Sequence, residues 1–195
     1  EIDARGRLVL PGGVDSHCHI EQVSSFGILC ADDFYSATVS AAFGGTTTVI
    51  PFCAQHRDDS LAAALAAYAA RARAKAVIDY GFHLIIANPD RQTLEVDLPA
   101  AVGQGVRSLK IFMTYEALKL NDREILEVLS VARETGALVM VHAENDDAIR
   151  FLTERLERAG KTTPAAHALS RPFVVEREAT HRAISLAELI DVPVM

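Results

Sequence analysis

Short runs of β-branched and apolar residues recur about every 30 residues along this chain, each followed by a segment of helical spacing, and this alternation confines the fold to parallel βα units. Six strands are predicted, at residues 13–17, 46–52, 80–87, 108–113, 137–142 and 192–195. Helices are predicted over 32–43, 60–77, 93–102, 122–134, 146–158 and 176–190. The punctuation agrees with these bounds. Asn121 followed by Glu124 makes a capping box, and Gly136 after Thr135 offers a left-handed helix exit, as do Gly44-Gly45 and Gly105 for their helices.

A closed eight-stranded parallel barrel takes roughly 250 residues. At that rate 195 residues supply five complete units and a sixth strand, so the predicted fold is α/β, an incomplete (β/α)8 barrel of the TIM type holding about strands 1 to 6. The competing open sheet would carry a glycine-rich phosphate loop after its first strand, where Asp15-Ser16-His17 stands instead. Half the residues are apolar and the net charge is −7 without charge blocks, which offers no electrostatic footprint for nucleic acid or an anionic membrane surface. The most apolar long stretch, 61–78, carries Arg71, Arg73 and Lys75 and reads as a helix outside any membrane. Cys18, Cys30 and Cys53 form an odd, widely spaced set that fits a reducing compartment, so a cytoplasmic protein is expected. The opening residues show neither an initiator Met nor an apolar signal core, and the start of the protein is expected to lie upstream.

The candidate chemistry sits at strand ends. Residues i and i+2 of a strand share a face, so His17 and His19 can present two imidazoles to one ion, with Cys18 turned away and Asp15 placed to orient them. They could equally be ordinary polar residues at a strand end. Lys110 stands in an otherwise apolar strand, where an unpaired ammonium is costly to bury. It could snorkel, enter an ion pair, or, with its pKa lowered by desolvation, add carbon dioxide and become a carbamate, an anionic two-oxygen group able to bridge two metals. His142 closes the fifth strand and by itself is as consistent with a structural role as with a ligand. Taken jointly, the four residues fall at the C-terminal side of strands one, four and five, where barrel enzymes build their sites.

The segments Pro11-Gly12-Gly13-Val14-Asp15-Ser16-His17-Cys18-His19, Phe43-Gly44-Gly45-Thr46-Thr47-Thr48, Leu109-Lys110-Ile111-Phe112-Met113-Thr114-Tyr115 and Val141-His142-Ala143-Glu144-Asn145 resemble, in order and spacing, the dihydropyrimidinase and hydantoinase branch of the amidohydrolase superfamily. Ser170-Arg171-Pro172 and Glu178-Ala179-Thr180 resemble it too, so the likeness covers nearly the whole chain. It implies two divalent metal ions, with His17 and His19 on one, His142 on the other and an N-carboxylated Lys110 bridging them. It also makes Tyr115 the residue that hydrogen-bonds the substrate carbonyl and its tetrahedral intermediate. Strict alternation would set Tyr115 opposite Lys110, so the strand is expected to end before it. Zinc suits these ligands best, with manganese, cobalt and iron compatible. The family's fourth histidine and catalytic aspartate would lie beyond Met195. Its β-sandwich would survive here only as a remnant strand or linker in residues 1–10, with 11–195 the N-terminal part of the barrel.

The implied reaction is hydrolysis of a cyclic amide, a hydantoin or dihydropyrimidine, to an N-carbamoyl amino acid by metal-activated hydroxide, in a homo-oligomer, most simply a tetramer. Alternatives are an allantoinase-like ureide hydrolase and a non-catalytic scaffold relative, although scaffold relatives lack the ligand set retained here. Relatives acting on dihydroorotate carry an arginine where Glu21 stands, and a glutamate there would repel such an anion, favouring a neutral ring. Among the other histidines, His56 is assigned to a rim loop, His83 to the core, and His167 and His181 to the surface or an interface; Arg171 could serve an interface.

Overall fold

A computed structural model describes residues 2–23 and 27–195; residue 1, within the predicted remnant segment, lies outside them. The chain divides into two compact units, residues 1–52 with 67–82, and residues 53–66 with 83–195.

In the first unit, β1 (Gly13–Cys18) and β3 (Asp79–Tyr80) both pair in parallel with β2 (Thr46–Ala54). Gly13 pairs with Thr46 in that register, and neighbouring Gly12 lies where an added Cβ would fall inside the Thr47 side chain, so glycine is required for the strands to approach. Helix α1 (Phe34–Phe43) starts where Asp33 accepts the Ser36 N–H, and it leaves through Gly44 into Gly45 at φ 86°. Helix α2 (Leu61–Lys75) turns Tyr68 and Ala72 inward, and Tyr68 donates to the Ile20 carbonyl at 2.6 Å beside the buried ring of Phe34. Residues 2–10 form no strand and leave Ile2, Leu8, Val9 and Leu10 exposed.

The second unit holds β4 (His83–Ile85), β5 (Ser108–Phe112) and β6 (Leu138–His142), parallel and in that order. The single strand expected over 80–87 is thus two short pieces, β3 and β4, separated at Gly81 and Phe82, because glycine holds a strand weakly and Gly81 N–H turns to the Val49 carbonyl. The expected strand at 192–195 is a single parallel bridge from Val194 to Val139. The predicted third helix is a π-helical turn, Thr93–Asp97, running into α3 (Leu98–Gly103). Helix α4 (Asp122–Thr135) has the full capping box, Gly136 at φ 72°, and a buried stripe of Ile125, Val128, Leu129 and Ala132. Helix α5 (Asp146–Arg158) is capped by Asn145. The short α6 (Ala165–Leu169) has no counterpart among the predicted helices. It precedes α7 (Phe173–Ile190), whose buried Ala179, Ala183 and Ala187 let it lie close against α4.

Buried polar groups fix the loops of this unit. Gln55, fully buried, accepts the N–H groups of Ala87 and Asn88 and donates to Asp59, Asn88 and Thr93. Replacing it with leucine orphans those N–H groups, so Gln55→Leu is expected to lower unfolding stability by about 2–4 kcal/mol in denaturant titration. A change below about 0.5 kcal/mol would mean that water replaces the amide at no cost.

Candidate metal and active site

In the first unit, β1 delivers His17 and His19 as expected, with His19 one residue past the strand end. Their ring centroids are 5.7 Å apart and both rings rest against Phe52, at 4.6 and 5.2 Å. Asp15 accepts the backbone N–H of His17 at 3.1 Å, a contact that steadies the strand end rather than a ring. The ring of His19 is oriented by Gln22, whose Oε1 lies 2.7 Å from Nδ1 and whose Nε2 donates to the Phe52 carbonyl. An amide oxygen only accepts, so Nδ1 carries the proton and Nε2 holds the lone pair. Burial pushes the Cys18 thiol up to about 11, with Asp15 adding to the effect, so the thiol is protonated at neutral pH.

Glu21 differs from its sequence reading. Its carboxylate is turned to Lys75 Nζ at 2.9 Å and to the Phe34 N–H at 3.2 Å, tying α1 to α2 instead of standing as a free negative charge.

In the second unit, β5 and β6 place Phe112 opposite His142, and alternation puts Lys110 on the same face as Phe112. Lys110 is half-buried, two residues before the strand end. Its Nζ lies over the Phe112 ring at 5.2 Å, and no ion pair joins it to a carboxylate among the described residues. Burial lowers its pKa, leaving more neutral amine than an exposed lysine would have.

His142 stacks on Phe112 at 5.5 Å, and its Nε2 lies 2.7 Å from Glu144 Oε2. With that nitrogen committed to a carboxylate, Nδ1 is the side left for a ligand, which is how metal-bound histidines are commonly oriented. Arg171 reaches toward the carboxylate that holds His142. It lies 3.8 Å from Glu144, and it also donates to Ser170 Oγ and contacts His167 Nδ1. Gln22, Glu144 and Arg171 had no assigned part in the site from the sequence. For Gln22 and Glu144 the available signal was an acceptor side chain three residues beyond His19 and two beyond His142.

β5 does end before Tyr115, which sits at φ 71° with its ring 5.1 Å from that of His142. A left-handed backbone at a bulky residue costs on the order of 1–3 kcal/mol. Burial, reinforced by Glu144 and partly opposed by Arg171, raises the phenol pKa, so the hydroxyl remains a donor at neutral pH. His83 is buried against Ser108 Oγ, while His56, His167 and His181 are exposed. Among the described residues no group of three or more His, Cys, Asp and Glu could hold a metal unaided. The donors present are the imidazoles of His17 and His19 in the first unit and, in the second, the imidazole of His142 and the half-buried amine of Lys110.

The amidohydrolase family model matches residues 8–175, and the chain belongs to that family. Within it, the chain falls in the hydantoinase and dihydropyrimidinase branch. It is 48% identical to the D-hydantoinase of Ralstonia pickettii over 99% of its own length, and 46% identical to that of Geobacillus stearothermophilus over 96%. A solved D-hydantoinase matches 94% of the chain at 46% identity with a TM-score of 0.90, and the dihydropyrimidinase from Brevibacillus agri matches all of it at 40% identity with a TM-score of 0.89. The fold is therefore α/β, an incomplete TIM-type barrel. The chain spans about two fifths of the relatives' length, 42% of the Ralstonia enzyme and 40% of the Geobacillus enzyme.

Proposed function

We propose that the whole protein is a metal-dependent cyclic amidohydrolase that opens hydantoin or dihydropyrimidine rings to N-carbamoyl amino acids. The observation that carries this is the pairing of His19 with Gln22 and of His142 with Glu144, which in each case leaves one ring nitrogen as a lone-pair donor. His17 and His19 would hold one divalent ion, His142 the other, and Lys110 as a carbamate would bridge them. Zinc is the first expectation. When bound, the metals would activate water and polarise the scissile carbonyl. Tyr115 donates its hydroxyl proton in a hydrogen bond to the carbonyl oxygen as negative charge develops there, which its raised pKa permits. Phe112 and Phe52 supply apolar walls beside the imidazoles in their respective units.

Absence of an arginine at position 21 supports a neutral ring over a carboxylated one. The run Ile2 to Leu10 is assigned to a strand or linker of a companion β-domain on the strength of its exposed apolar residues. Exposed Phe151, Leu169 and Phe173 suit contacts with further sequence or with other subunits, in keeping with a homo-oligomer such as a tetramer. The cysteine pattern supports a cytoplasmic location, and no helix among the described residues is long and apolar enough to cross a membrane.

Assays of the whole protein against hydantoin, dihydrouracil and allantoin, with metal analysis on the same sample, test the proposal. Turnover of one of the first two with about two metals per subunit is expected; exclusive turnover of allantoin, or none at all in a metal-loaded protein, would refute it. Glu144→Leu is expected to weaken metal retention about 10- to 100-fold in chelator competition. Retention equal to wild type would show that His142 needs no carboxylate to orient it.

A further inference from the structure

Tyr115 keeps a backbone conformation that persists in a bulky residue only where its surroundings over-determine it. Those surroundings are specific. The segment that carries Tyr115 is closed at its base, where Leu120 N–H donates to the Phe112 carbonyl, and Leu118 and Lys119 both donate to the Tyr115 carbonyl. Three of its side chains are then wired to the first turns of α5. Lys119 Nζ lies 2.6 Å from Asp146 Oδ2 and 3.0 Å from Glu116 Oε2. Thr114 Oγ1 donates to Asp146 Oδ1 at 3.1 Å, and Arg150 Nη1 donates to Glu116 Oε2 at 2.7 Å. Arg57 adds a bond from Nη2 to the Lys119 carbonyl at 2.6 Å. Both chain neighbours of Tyr115, Thr114 and Glu116, are therefore held, and Asp146 lies four residues past His142 in the loop and helix that leave β6.

We propose that Lys119 and Asp146 are positioning residues for Tyr115, forming a clamp that couples the tyrosine's segment to the element following His142 and so fixes the phenol hydroxyl against the ring it must serve. The inference rests on the reading of Tyr115 as the donor to the substrate carbonyl. Asp146 is shielded, with its side chain 13% exposed, and Lys119 is 26% exposed. Although burial works to raise the Asp146 pKa, hydrogen bonds from Lys119 and Thr114 bring it below the ordinary value, so the pair stays charged at neutral pH. Loss of either partner removes the charged tie between the segment and the start of α5, and displacements of about 1 Å at a reacting group can cost on the order of a hundredfold in rate.

The test is a set of double-mutant cycles on the whole protein with hydantoin as substrate, measuring kcat, KM and metal content for Lys119→Gln, Asp146→Asn, Tyr115→Phe, and Tyr115→Phe combined with each. The clamp variants are expected to lower kcat about 10- to 100-fold with KM and metal content near wild type. Added to Tyr115→Phe, they are expected to lower it by less than about twofold, because residues acting as a unit are non-additive. Lys119→Arg, which keeps the charge, should recover most of the rate. Equal losses with and without the Tyr115→Phe substitution, or unchanged kcat in both clamp variants, overturn the clamp while leaving Tyr115 in place. Full activity in Tyr115→Phe alone overturns the reading of Tyr115 and the clamp with it.

Discussion

Lys110→Ala in the whole protein is expected to abolish ring opening, lowering kcat on the order of a thousandfold or more, which corresponds to about 4 kcal/mol of lost transition-state stabilisation. The bound metal should fall below the two ions per subunit expected of a bridged pair. The reasons lie in the environment of this side chain. Lys110 has no carboxylate partner among the described residues and has its pKa lowered by burial, with the Phe112 ring as the contact that favours its charged form. Carbamate formation would resolve that tension, because the neutral amine would add carbon dioxide and release a proton to solvent, giving an anion that metal cations could neutralise. It follows that reloading the metal-stripped protein should be slower in buffer freed of carbon dioxide and bicarbonate. A Lys110→Ala protein with full activity and an undiminished metal count would remove the carbamate from the mechanism.

Tyr115→Phe carries the second largest expected effect, a fall of about 10²–10³ in kcat with KM little changed and metals retained. The ring would keep its contacts with Phe112 and His142, at 5.8 and 5.1 Å, so the variant isolates the hydroxyl. Selectivity for kcat follows from when the bond matters. A hydrogen bond to a carbonyl oxygen is modest in the ground state and strengthens as that oxygen becomes anionic. A rise in KM with kcat unchanged would instead make Tyr115 a ground-state binding residue.

Much of the fold was legible because it is local. The Asn121 box, the Gly136 exit and the i, i+3, i+4 stripe of α4 are decided by residues a turn apart, and each is found as expected. The break between β3 and β4 and the extra helix α6 were not, since a strand at 80–87 and a loop at 165–169 are equally permitted by spacing, and packing made the choice.

The candidate site divides in the same way. By itself the sequence singled out the candidates: the i, i+2 histidines at the end of β1, the lone lysine of β5, the histidine closing β6, and a tyrosine placed after the strand rather than in it. Only tertiary structure decided how those side chains are held. Glu144 meeting Arg171, Asp146 meeting Lys119, and Glu21 spent on Lys75 instead of facing a substrate all join residues from different elements, separated by as many as 54 positions in the chain. The physical reason is the range of the forces involved. Backbone periodicity and capping act within a turn or a pleat, whereas hydrogen bonds and charge pairing act over a few ångströms in space and take effect only once packing has brought distant segments together.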